Sequence, residues 1–158
     1  MKIAFVTLGC KLNYAETSTY ERHLLEKGCE AVSWTSGKAE AFLVNTCSVT
    51  ERSDSKCRSA IRKLHRLCPD APIFVTGCYA QLKKAEIEAL DGVAAVFGAN
   101  QKGLVVDTIW QHFNSEGAEV KASACQGATG EFFQAHSSGE RTRSFLKVQD
   151  GCNNFCSY

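Results

Sequence analysis

No stretch of eighteen consecutive apolar residues occurs in this 158-residue chain, so nothing in it reads as a membrane span. Net charge is almost absent, +1 overall, and the chain as a whole argues neither for nor against a nucleic-acid partner. There is no Cys-x2-Cys pair and no paired-histidine spacing, which leaves no dedicated zinc-finger-type site. The segment after the first apolar run, Cys10-Lys11-Leu12-Asn13, holds neither a phosphate-cradling glycine loop nor an acidic phosphoacceptor. A flavin-binding or phosphoacceptor regulatory domain therefore lacks its key residues. Lys2 before a short apolar stretch lacks the length and cleavage site of a leader, so residues 2–9 read as a first strand.

Cysteine is what the chain does have. There are nine, and an odd number argues against a closed disulfide framework. The alternation of strand and helix patterns is that of an intracellular α/β protein, where thiols stay reduced. A cytoplasmic setting is expected, with the thiols serving metal, redox chemistry or burial. The length and 44% hydrophobic content suit one domain with a real core.

Strands are expected at 2–9, 30–34, 42–46, 73–76 and 94–97. Helices are expected at about 14–27, 51–67, 83–90 and 102–113. Asn13 or Thr17 is positioned to cap the first helix, Gly28 to end it, and Thr50 to cap the second. The pattern predicts an α/β fold: a doubly wound, mostly parallel five-stranded sheet in three layers, with flavodoxin-like strand order 2-1-3-4-5. The domain division reads as 1–114, a Ser/Gly/Ala-rich linker over 115–143, and the start of a further domain over 144–158, beginning with a strand at 144–149.

Three cysteines each follow a predicted strand: Cys10, Cys47 and Cys78, 37 and 31 residues apart. The carboxyl ends of parallel strands share one edge, where ligands bind, so these thiols should meet. Thiolates suit zinc or iron–sulfur clusters, and three of them leave one position open. Gly9 and Gly77 precede two of them and would let the backbone approach a bulky group. Asn13, Asn45 and Thr46 are candidate outer donors. The plainer reading is three buried structural cysteines, which becomes harder to hold for three at equivalent strand ends. A zinc site completed by His65 is a further alternative. Cys57 and Cys68 fall on an apolar helix face and read as core, Cys29 as the apolar contact after a helix cap, and Cys125 as a linker thiol. Residues 51–68 carry six Lys/Arg against two acids, which can serve phosphates or simply face water.

Four segments taken in order, Thr7–Asn13, Val44–Thr50, Val75–Gln81 and Lys147–Tyr158, resemble the radical-SAM methylthiotransferases. The resemblance implies an auxiliary 4Fe-4S cluster held by Cys10, Cys47 and Cys78, with Gly9, Asn13, Asn45 and Gly77 around it. It also implies a second 4Fe-4S cluster on a Cys-x3-Cys-x2-Cys motif. Cys152 and Cys156 match its first two positions, and the third would follow Tyr158. S-adenosylmethionine, tRNA and a flavodoxin-type electron donor are the implied cofactor and partners, with no membrane. The implied reaction inserts a methylthio group at an unactivated adenine C–H, chemistry that a cofactor-derived radical must supply. Lys11-Leu12-Asn13 and Thr50–Arg58 look most like the branch acting on threonylcarbamoyladenosine beside the anticodon, rather than the isopentenyladenosine or ribosomal-protein branches. The fragment alone is expected to be inactive, and monomeric or weakly dimeric.

Overall fold

A computed structural model describes residues 1–48, 50–114, 132–137 and 143–149. Five strands, β1 (Lys2–Thr7), β2 (Glu30–Ala31), β3 (Ala41–Thr46), β4 (Ile73–Gly77) and β5 (Val93–Phe97), form one sheet in the order β2-β1-β3-β4-β5. Every pairing is parallel. This is the expected doubly wound arrangement.

The helices follow as α1 (Lys11–Glu26), α2 (Glu51–Leu67), α3 (Cys78–Leu82), α4 (Lys84–Glu88) and α5 (Val105–Asn114), the last entered through a 3₁₀ helix, Ala99–Leu104. Strand alternation sends Phe42 and Val44 to one face, against Cys57, Ile61 and Leu64 of α2 and Ile87 of α4. Ala41 and Leu43 go to the other, with Tyr20 and Leu24 of α1 and Val105 and Ile109 of α5. Both faces of the sheet are covered, so β3 is buried throughout.

Cap chemistry explains the boundaries. Gly28 has φ +89°; its N–H donates to Leu25 O (2.9 Å) and that of Cys29 to Leu24 O (3.0 Å), closing α1 and burying Cys29. Thr50 caps α2, its hydroxyl accepting from Ser53 N at 3.2 Å.

Several boundaries differ from those expected. α1 starts at Lys11 with Cys10 as its cap, so Asn13 lies inside the helix. β2 stops at Ala31 because Ser33, Thr35 and Ser36 close a hydrogen-bonded turn. The helix predicted at 83–90 is α4, shortened to Lys84–Glu88, and an unpredicted helix precedes it: Gly77, at φ +102°, turns β4 directly into α3, and Lys83 (φ −135°, ψ 48°) separates the two. The helix predicted from 102 starts at Val105, after the 3₁₀ turns. The strand predicted at 144–149 is a single antiparallel bridge, His136 to Leu146.

That bridge lies against the sheet domain. Phe133 stacks on Tyr20 at 4.8 Å, His136 N donates to Thr19 Oγ1 at 3.0 Å, and Phe145 meets Tyr14 edge-on at 6.2 Å. Cys125, Cys152 and Cys156 lie outside the described residues.

Candidate functional site

Strand register brings the three expected cysteines together. Thr46 pairs with Gly77, and Leu8 N continues the ladder to Asn45 O at 2.8 Å. Cys47 and Cys78 are therefore level on adjacent strand ends, and Cys10 lies one residue past that row beyond β1. Neighbouring strands are about 4.8 Å apart, so three thiols share a short stretch of the carboxyl edge. Cys10 and Cys78 are exposed and Cys47 is buried. Partial desolvation by the packed edge, reinforced by Cys47, pushes the Cys78 thiol up; Lys102 opposes the shift, and Cys10 and Glu16 add to it.

Two glycines make room. A Cβ on Gly9, where φ is +144°, would fall 2.7 Å from both Cys47 Cβ and Asn13 Oδ1. A Cβ on Gly77 would strike the Thr46 backbone and lie 2.6 Å from Asn45 Oδ1. Any larger residue at either position would displace the elements that carry the thiols.

Asn13 and Asn45 organise the floor. Asn13 Oδ1 accepts from Cys10 N (3.2 Å) and Cys10 Sγ (3.1 Å), while Asn13 Nδ2 donates to Asn45 Oδ1 (2.7 Å) and Thr46 O (3.1 Å). Asn45 Nδ2 donates to Asn13 O at 3.1 Å and to Glu16 Oε2 at 3.3 Å. Cys57 Sγ donates to Cys47 O at 3.5 Å, so this core cysteine also steadies the site from beneath. Burial raises the Cys57 thiol.

Charged groups missing from the sequence-based site lie one layer below. Glu16 is 1% exposed, and its Oε1 accepts from Lys102 Nζ and Lys147 Nζ, both at 2.9 Å. Asp54 accepts from Ser48 Oγ at 2.7 Å and pairs with Lys83 at 3.2 Å, tying the loop after Cys47 to the end of α3. The Ser48 hydrogen bond, with Lys83 assisting against burial, holds the Asp54 carboxyl below its usual range. Partners 86 and 131 residues away from Glu16 leave no local pattern, although the i, i+3 spacing of Asn13 and Glu16 places both on one side of α1.

A small cleft of about 180 Å³ opens beside Cys10, lined by Thr7, Gly9, Lys11, Tyr14 and Phe145. Lys11 Nζ sits 5.6 Å from the Phe145 ring centre. A larger cleft, about 760 Å³, involves Met1, Gly37 and Cys68 and lies at the other end of the strands.

Among the described residues, no three His, Cys, Asp or Glu side chains converge on a single point as ligands of one ion. His65 does not complete a zinc site: it is fourteen residues along α2 from Glu51, about 21 Å at 1.5 Å per residue, and packs against Gly92. A multi-iron cluster takes each thiolate on a different iron, so its thiols need not converge on one point. The all-thiol donor set and the two glycine cradles fit such a group.

The family model described as "Uncharacterized protein family UPF0004" matches residues 2–98, which include all three cysteines. The threonylcarbamoyladenosine tRNA methylthiotransferase MtaB of Bacillus subtilis (strain 168) is 37% identical over 158 residues, covering 99% of this chain and 35% of that protein. The MtaB of Aquifex aeolicus (strain VF5) is 34% identical over 166 residues, covering 100% and 38%. The ribosomal protein uS12 methylthiotransferase RimO of Moorella thermoacetica (strain ATCC 39073 / JCM 9320) is 30% identical over 159 residues, covering 100% and 36%. The chain thus spans a little over a third of the length of these curated relatives. With its match over residues 2–98, the chain belongs to the UPF0004 family.

Proposed function

We propose that this chain is the sulfur-delivering domain of a tRNA methylthiotransferase acting on threonylcarbamoyladenosine. The observation that carries the reading is the placement of Cys10, Cys47 and Cys78 at the ends of three adjacent strands, β1, β3 and β4. Those thiolates would hold an auxiliary 4Fe-4S cluster, which when bound supplies sulfur at an iron without a protein ligand. Gly9 and Gly77 give it clearance. Asn13 fixes Cys10, and the Cys57 thiol holds the carbonyl of Cys47. Residues 144–158 begin the radical-SAM domain, where Cys152 and Cys156 contribute to a second cluster and S-adenosylmethionine binds. A flavodoxin-type donor supplies electrons, and the enzyme works in the cytoplasm.

The substrate branch rests on Lys11-Leu12-Asn13 and on 37% and 34% identity to two enzymes named for threonylcarbamoyladenosine, against 30% to the uS12 enzyme. Among the described residues no helix is long and apolar enough to cross a membrane.

The test is nucleoside mass spectrometry of tRNA from cells whose only copy of the full-length protein carries Cys10→Ala. Loss of the methylthio group from threonylcarbamoyladenosine, with other nucleosides unchanged, is expected. An unchanged nucleoside profile overturns the proposal.

A further inference from the structure

We infer that the outward face of α2 is a docking track for the phosphate backbone of an RNA, leading to the cysteine edge; the inference rests on the tRNA reading above and names the surface involved. The helix buries Asp54, Cys57, Ile61 and Leu64. At 100° per residue, Arg52, Lys56, Lys63 and Arg66 fall on the opposite side with Arg62 beside them, and all five are exposed. None of the five takes part in an ion pair among the described residues. Arg58, where the helix meets its neighbours, pairs with Glu86 at 2.7 Å. Asp54 is turned inward to Ser48 and Lys83.

The exposed side of α2 carries one acid, Glu51 at its first position, against these five cations. It places like charges at i, i+4 (Arg52 with Lys56, Arg62 with Arg66) and i, i+3 (Lys63 with Arg66), and each pair opposes the helix. Arg52 also meets the positive end of the helix dipole. A polyanion relieves this repulsion. A protein partner would need apolar anchors; α2 itself offers none among the five cations before Leu67, and the one aromatic beside them, Trp34, is covered by Lys63, whose Nζ lies 4.8 Å from its ring centre. The row from Arg52 to Arg66 is about 21 Å long, and its first turn stands on the Thr50 cap, three residues after Cys47. A backbone following it is led to the three thiols.

The test is fluorescence anisotropy of a labelled anticodon stem-loop RNA with the cluster-free 158-residue chain, over a salt series. Arg52→Gln/Lys56→Gln/Lys63→Gln is compared with Lys27→Gln/Lys38→Gln/Lys84→Gln, which removes the same charge from other elements. The α2 triple is expected to weaken binding at least about tenfold and to flatten the log–log salt slope by about two to three. The control is expected to stay within about twofold of the parent. Equal losses in both, no loss in the α2 triple, or no binding by the parent overturns the track. Relief of like-charge contacts should offset the loss of the Lys63–Trp34 contact and leave the α2 triple folded, melting within a few degrees of the parent. Both triples should take up iron as the parent does. Iron uptake without any α2 effect counts against the track alone, and an α2 effect without iron uptake counts against the cluster reading alone.

Discussion

The side chains of Asn13 and Asn45 hold each other across the sheet edge: Asn13 Nδ2 donates to Asn45 Oδ1 at 2.7 Å, and Asn45 Nδ2 returns a bond to the Asn13 carbonyl at 3.1 Å. The pair locks the start of α1 to the end of β3, and with them Cys10 to Cys47. Both residues are buried. Asn45→Ala is expected to cost about 1–3 kcal/mol, because Asn13 and Glu16 each lose a buried partner. Urea denaturation checks this; unchanged stability would mean that water replaces the amide without penalty.

Gly28 and Gly77 offer a controlled comparison. Both have positive φ, but a Cβ on Gly28 meets nothing within 4 Å, whereas one on Gly77 runs into the Thr46 backbone. Gly28→Ala should cost only the backbone preference, about 1–2 kcal/mol. Gly77→Ala should cost more and move Cys78 away from Cys47. Denaturation midpoints of the two variants decide it, and equal losses would show that β4 can shift freely.

Glu16 is the shared acceptor of Lys102 and Lys147. Glu16→Gln removes the carboxylate from two buried ammonium groups and should cost about 3–5 kcal/mol. It should also release residues 143–149 from α1. Amide exchange should then rise in that segment, while β3 and β4 stay protected. If exchange there is unchanged, the Phe145 and Phe133 contacts hold the segment without the ion pair.

Acid should act through Asp54. Its folded-state pKa lies below the ordinary value of 3.8, so its contribution is fully present above that value and is lost as pH falls through the folded one. Parent and Asp54→Asn should therefore differ in melting temperature near neutrality and converge below about pH 4. A pH-independent difference would assign the effect to packing.

Much of this site was legible before any coordinates. Apolar runs ending in cysteine gave β1, β3 and β4, and parallel topology put Cys10, Cys47 and Cys78 on one edge. Gly28 and Thr50 act as the caps expected of them. Asn13 misled because its residue type suits a cap; its amide instead serves Cys10 from inside the helix, and a cysteine cap carries no propensity signal. Helix α3 was missed because Cys78-Tyr79-Ala80-Gln81-Leu82 follows a strand with no capping residue before it; only the positive φ of Gly77 lets β4 turn straight into a helix there. The tie from Lys147 to Glu16 could not be read at all. It spans 131 residues, and the segment carrying Lys147 resembled a strand that belongs elsewhere.

Iron and acid-labile sulfide per chain after anaerobic reconstitution test the central claim most directly, on the parent and on Cys10→Ala/Cys47→Ala/Cys78→Ala. About four irons and four sulfides in the parent, absent from a folded triple variant, are expected. Iron retained by the triple variant, or zinc in place of iron in the parent, would contradict the assignment of these three thiols.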